Sequence, residues 1–146
     1  MVGGHGSAHA GTVSAALDLL VLGGTSWLGG AVARHAADRG HRVTCLARGE
    51  SGRPPAGVTW VRADRALPTA YDEVTGRGWD AVVDVSWQPA FVRSALDRLA
   101  ATTRHWVYVS SCSVYADDTA PGQGEDAPVH EAHTGTGPVD WIGVLS

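Results

Sequence analysis

Leu19-Leu20-Val21-Leu22-Gly23-Gly24-Thr25-Ser26-Trp27-Leu28-Gly29-Gly30 is the stretch on which the fold turns. Four apolar residues in a row, with no polar residue alternating among them, describe a short strand buried on both faces. After the glycine turn, residues 28–39 carry Leu28, Val32, His35 and Ala36 at helical spacing on one face, and Gly40 stops the helix. Glycine between a buried strand and a helix lets backbone amides approach a phosphate, while the helix N-terminus supplies partial positive charge. Gly23 and Gly29 stand six apart, with Ser26 where a dinucleotide fingerprint has its middle glycine. Flavodoxin-like proteins with other ligands use such turns too, so the turn alone leaves the ligand open.

The rhythm repeats outward from this unit. Residues 42–47 and 58–62 read as a second and a third strand, with a Pro/Gly loop between them. Residues 81–85 and 105–109 read as a fourth and a fifth. A short helical piece is expected near residues 69–75, and a longer helix over 89–101 with Phe91, Leu96 and Leu99 along one stripe. Strands alternating with helices imply βαβ units and a parallel sheet. With right-handed crossovers, five such strands take the order 3-2-1-4-5. The expected fold is therefore α/β, a doubly wound, Rossmann-like parallel sheet of about five strands over residues 18–115. Residues 1–17, which open Gly/Ala/His/Ser-rich, read as a flexible leader. Residues 116–146 read as an irregular C-terminal tail. No sixth strand is visible, so the sheet reads as incomplete and the chain as the truncated first part of something longer.

Composition narrows the function. At 146 residues the chain is one domain. A net charge of −4 argues against a nucleic-acid partner or a polybasic membrane binder. The N-terminus has no basic region, and the apolar run is broken by Asp18 and the glycines, so neither a signal peptide nor a membrane span is expected. A reducing, cytoplasmic setting follows, with Cys45 and Cys112 read as buried small residues outside any disulfide or metal pattern. His5 and His9 lack further ligands at metal spacing, and His130, Glu131 and His133 lie in the irregular tail, so no metal is expected. The six tryptophans read as core and rim packing. Asp84 follows buried valines, and no partner for it is evident.

The end of the second strand bears on the choice of dinucleotide. A chain that binds NAD usually carries Asp or Glu there to accept hydrogen bonds from the ribose 2′-hydroxyl. This one has Leu46-Ala47-Arg48-Gly49, with Arg48 nineteen residues after Gly29. A guanidinium suits a 2′-phosphate, so NADP is the expected cofactor and NAD the alternative. The lesser alternative is that Arg48 is an ordinary solvated strand-end residue.

Taken together, the segments from Leu19 to Tyr115 resemble the nucleotide-binding half of the NAD-dependent epimerase/dehydratase family, the extended and atypical short-chain dehydrogenases/reductases. The Gly-Gly-Thr-x-x-Leu-Gly turn is similar to a variant found in that family. The resemblance implies that Gly23, Thr25, Ser26, Trp27, Leu28 and Gly29 hold the pyrophosphate. It implies that Asp64 and its neighbour Arg65 lie at the adenine, and that Val85, Ser86 and Trp87 line the ribose. Ser110-Ser111-Cys112-Ser113-Val114-Tyr115 resembles the family's Ser-Ser-x-x-Val-Tyr run. That match puts Ser111 in the catalytic Ser/Thr place, with Ser110 beside it at the cofactor.

One departure is large. Family chemistry uses a Tyr-x-x-x-Lys pair, in which the Tyr moves a proton and the Lys lowers its pKa and binds the nicotinamide ribose. All eleven basic residues here are Arg. Tyr71, Tyr108 and Tyr115 are the only tyrosines, and residues 133–138, where the pair would fall, hold neither type. Tyr115 matches the Val-Tyr pair and reads as structural. The family's substrate domain is also missing. The expectation is the NADP-preferring domain of an epimerase/dehydratase-like or reductase-like oxidoreductase, inactive alone, with substrate and oligomeric state unread. The alternative is a non-catalytic dinucleotide-binding sensor or interaction module.

Overall fold

A computed structural model describes residues 15–117, 119–132, 134 and 135. Five strands form one sheet: β1 (Asp18–Leu22), β2 (Arg42–Ala47), β3 (Thr59–Arg62), β4 (Ala81–Asp84) and β5 (Trp106–Tyr108). Their order is β3-β2-β1-β4-β5 and every pairing is parallel, as the strand–helix alternation predicts. β1 is central, with Leu20 in register with Thr44 on one side and Val82 on the other. Leu20, Val21 and Leu22 are at most 1% exposed, which is why this strand shows no polar alternation.

Successive β1 side chains feed two cores on opposite faces of the sheet. Val21 packs with Val43, Cys45 and Ala33 of helix α1 (Trp27–Asp38). Leu20 and Leu22 pack with Leu46, Val82, Tyr71, Val74 and Trp79, and with Ala95 and Leu99 of helix α2 (Pro89–Leu99). Pro89 opens α2, where a missing N–H costs nothing. The Trp79 indole is buried and donates to Val74 O at 3.0 Å. At the amino end of the sheet, Arg42 forks onto Asp18 at 2.6 and 2.8 Å, and its hydrogen bonds hold the Asp18 carboxyl below the usual range.

Several local expectations are corrected. Residues 69–75 form successive turns rather than a helix, closed by Val74 N–H to Tyr71 O at 2.9 Å. The buried face of α1 runs through Gly29 and Ala33, and His35 is exposed. In α2 the buried positions are Ala95 and Leu99, while Leu96 is exposed. Cys112 is exposed, and only Cys45 is buried. Trp27 is 88% exposed and packs neither core nor rim. Trp141, His5, His9 and His133 lie outside the described residues.

The segment after β5 is less irregular than composition suggests. A short 3-10 turn spans Cys112–Val114, and Tyr115 then makes an antiparallel bridge to Val129. Ala116 N–H donates to Pro128 O at 2.9 Å and His130 N–H to Val114 O at 2.8 Å, which folds this stretch back on itself. At the other end, Leu17 bonds to residues 41 and 42 ahead of β1. Among the described residues, no helix is long and apolar enough to cross a membrane.

Candidate functional site

Crossovers leave β1 in opposite directions, toward β2 and β3 on one side and β4 and β5 on the other. A doubly wound sheet opens a crevice at such a switch point, beyond the carboxyl ends of the strands. Here it is a cleft of about 610 Å³, within the range of small-molecule sites. Gly23, Thr25 and Ser26 line it after β1, Arg48 to Glu50 after β2, Arg65 after β3, and Val85 to Trp87 after β4.

The glycine turn is built for close backbone approach. Gly23 has φ +89°, and a Cβ there would stand 2.8 Å from the Val85 side chain. A Cβ on Gly29 would stand 2.3 Å from the Gly23 carbonyl oxygen. Ser26 then explains itself as the N-cap of α1. Its hydroxyl donates to Gly23 O at 2.8 Å and accepts from Gly29 N–H at 3.2 Å, so the serine ties the loop to the helix. Trp27 and Leu28 begin α1, where backbone amides have no intrahelical acceptor. Their side chains do not line the cleft. A turn that excludes a side chain at Gly23 and Gly29 and ends on a helix N-terminus fits the pyrophosphate of a dinucleotide.

Arg48 lines the same cleft and is half exposed. Its guanidinium is 2.8 Å from Glu50, a cleft-lining carboxylate that the sequence reading passed over. Gly49 between them has φ +87°, and the Trp60 ring lies 2.6 Å from where its Cβ would be. The Arg-Gly-Glu spacing was the available signal.

Arg65 borders the cleft but is occupied within the protein. Its guanidinium forks onto Asp84 at 2.8 and 2.7 Å, while Nε donates to the Tyr71 hydroxyl at 2.8 Å and Nη2 to Phe91 O at 2.8 Å. Asp84 is wholly buried and also accepts from Ser86 N–H at 2.9 Å. Burial alone would lower the Arg65 pKa, but the bonds and charge of Asp84 outweigh it and hold it above its ordinary value. This is the missing partner of Asp84, and it fastens the end of β4 to the loop after β3 and to the start of α2.

Asp64 lies outside this cleft. It caps the following turn by accepting from Ala66 N–H at 2.9 Å, and lines a separate hollow with Arg62, Asp72 and Glu73. Ser110 and Ser111 follow β5 and are exposed, and neither lines the cleft. The Ser111 hydroxyl caps the 3-10 turn, accepting from Ser113 N–H at 3.3 Å and Ser113 Oγ at 2.9 Å. Tyr108 is in register with Asp84, so the chain carrying these serines leaves the sheet beside the end of β4. Burial, and then the Asp84 charge, push the Tyr108 phenol up. Burial also pushes the Cys45 thiol up to about 12, leaving it an inert packing group behind the loop.

Solved structures share this architecture. UDP-galactose 4-epimerase superimposes with a TM-score of 0.66 at 17% identity, over 78% of this chain and 45% of that one. The Bordetella bronchiseptica enzyme WbmG, solved with NAD and UDP, gives 0.58 at 16% identity, over 80% of this chain and 44% of its own. A short-chain dehydrogenase/reductase superfamily protein from Agrobacterium tumefaciens, solved with bound NAD, gives 0.57 at 24%, over 79% and 39%. At these identities the likeness is one of fold, and the chain spans less than half the length of each. No curated protein matches the chain significantly. The sequence pattern of the NAD dependent epimerase/dehydratase family matches residues 19–105, well over half of the chain. With the switch-point cleft and glycine loop on that same segment, the chain belongs to the NAD-dependent epimerase/dehydratase family, as its Rossmann-like nucleotide-binding part.

Proposed function

We propose that the cleft binds a nicotinamide dinucleotide, NADP in preference to NAD, as the cofactor domain of a cytoplasmic epimerase/dehydratase-like or reductase-like oxidoreductase. The carrying observation is that the glycine turn, with no room for a side chain at Gly23 or Gly29, borders the same cleft as the Arg48 side chain. A bound nicotinamide supplies hydride chemistry. The amides of Thr25, Trp27 and Leu28 receive the pyrophosphate, with Ser26, whose N–H is bonded to Gly23 O, holding the turn beneath it; Arg48 meets the 2′-phosphate, and Val85, Ser86 and Trp87 form the ribose wall. Ser110 lies at the nicotinamide side, and Ser111 turns its hydroxyl from Ser113 to a substrate oxygen. Arg65 keeps the adenine side as shape only, because it is engaged within the protein, and Asp64, which lines the neighbouring hollow, reaches the adenine only by leaving its bond to Ala66 N–H.

Purified protein titrated with NADPH and NADH tests the reading. NADPH is expected to bind more tightly by about 1.5–3 kcal/mol, the worth of a hydrogen bond to a charged group. Arg48→Asp erases or inverts that order, and equal affinities in the unaltered protein would overturn the preference.

The 146-residue polypeptide is expected to bind cofactor without appreciable turnover. It holds no lysine to tune a tyrosine or grip the nicotinamide ribose, and general acid–base help is typically worth ~10²–10⁴-fold. Steady-state assays across sugar nucleotides and simple carbonyls check this. Robust turnover that disappears in Tyr115→Phe would make Tyr115 the acid and refute the expectation.

A further inference from the structure

We infer that Glu50 is a specificity residue which, through its ion pair with Arg48, reads the substituent at the 2′ position and holds the preference for NADP below what Arg48 alone would give. The inference rests on the dinucleotide reading above and deepens it.

The two charges are brought together by the backbone between them. Gly49 takes a left-handed conformation against the Trp60 ring, and Gly52 N–H closes the turn onto Gly49 O at 3.3 Å. Arg62 Nε fixes the Arg48 carbonyl at 3.1 Å from the neighbouring strand. Arg48 and Glu50 therefore meet at 2.8 Å over the same part of the cleft. Both side chains are half exposed or more, so the pair is weak enough for a ligand to open.

The two cofactors use the pair in opposite ways. A 2′-phosphate carries close to two negative charges at neutral pH and must take the guanidinium from Glu50 while lying beside its carboxylate. A 2′-hydroxyl carries no charge and can donate to Glu50, which leaves the pair intact. One residue thus opposes NADP and assists NAD.

Direct binding of NADPH and NADH to wild type, Glu50→Gln, Arg48→Gln and the double variant decides the matter by calorimetry. Because both residues are exposed, all four proteins are expected to fold, and circular dichroism checks this. Glu50→Gln should tighten NADPH on the order of fivefold, the scale of an exposed pair removed, and weaken NADH. In the Arg48→Gln background the same change should have a smaller effect on NADPH, since there is no guanidinium left to release. If wild type binds but Glu50→Gln leaves the NADPH/NADH ratio unchanged or lowers it, the role of Glu50 is overturned and the dinucleotide reading stands. If none of the four proteins binds either cofactor, both fall together.

Discussion

Asp84→Ala is expected to destabilise the domain by about 3–5 kcal/mol, the scale of breaking a buried ion pair from one side. The loss comes from what is left behind. Arg65 would remain inside the fold with a 7% exposed side chain and no carboxylate against it, while Ser86 N–H would lose its acceptor. Against a total stability of roughly 5–15 kcal/mol, this is enough to unfold a sizeable share of molecules at ordinary temperature. Urea unfolding of wild type, Asp84→Ala and the double variant Asp84→Leu/Arg65→Met makes the measurement. The double variant should recover much of the loss, because an apolar pair of similar volume leaves no charge stranded. A single-variant loss below about 1 kcal/mol would mean the pair is hydrated, contrary to its burial.

Gly29→Ala should lose dinucleotide binding by at least about tenfold and cost about 1–3 kcal/mol of stability, as overpacking does. Its Cβ would stand 2.3 Å from a backbone oxygen, so the loop itself has to move, and the loop is the proposed phosphate cradle. Gly30→Ala is the matched control. Its Cβ meets only Gly24 O at 3.6 Å, and alanine inside a helix gains roughly 0.5–1 kcal/mol over glycine. Near-equal binding by the two variants would show that the Gly23–Gly29 contact is not where the phosphates sit. Thermal melts run beside the NADPH titrations separate loss of fold from loss of site.

Sheet order and strand positions were legible because buried parallel strands write themselves as unbroken apolar runs, and Leu19–Leu22 shows the pattern in its barest form. The glycine turn was legible for a related reason, since its geometry tolerates no side chain at Gly23 and Gly29. Contacts set by long-range folding were not. Arg65 and Asp84 are 19 positions apart and meet only once the chain has crossed from β3 to β4, so neither residue announces the other. Residues 69–75 set Ala70, Tyr71 and Val74 at helical spacing, but their Thr, Tyr, Val and Asp content is weak in helix propensity, and the core takes these side chains in successive turns. Glu50 was hidden in a Pro/Gly loop, where a charge ordinarily signals only solvent. Arg65 was assigned to the cofactor by its place beside Asp64, while its environment gives it an internal role.

The central place of β1 also orders events in time. Asp18 contacts Arg42, 24 residues on, but reaches Asp80 only 62 residues on. During synthesis the strand bearing the phosphate loop therefore waits, with one hydrogen-bonding edge open, until β4 has emerged. Sheets assembled from such distant pairings form slowly, and their partly built edges attract other chains. The strand that anchors the candidate site is thus enclosed later than β2, whose two neighbours are complete once β3 has emerged, so Leu19–Leu22 keeps an open edge for longer.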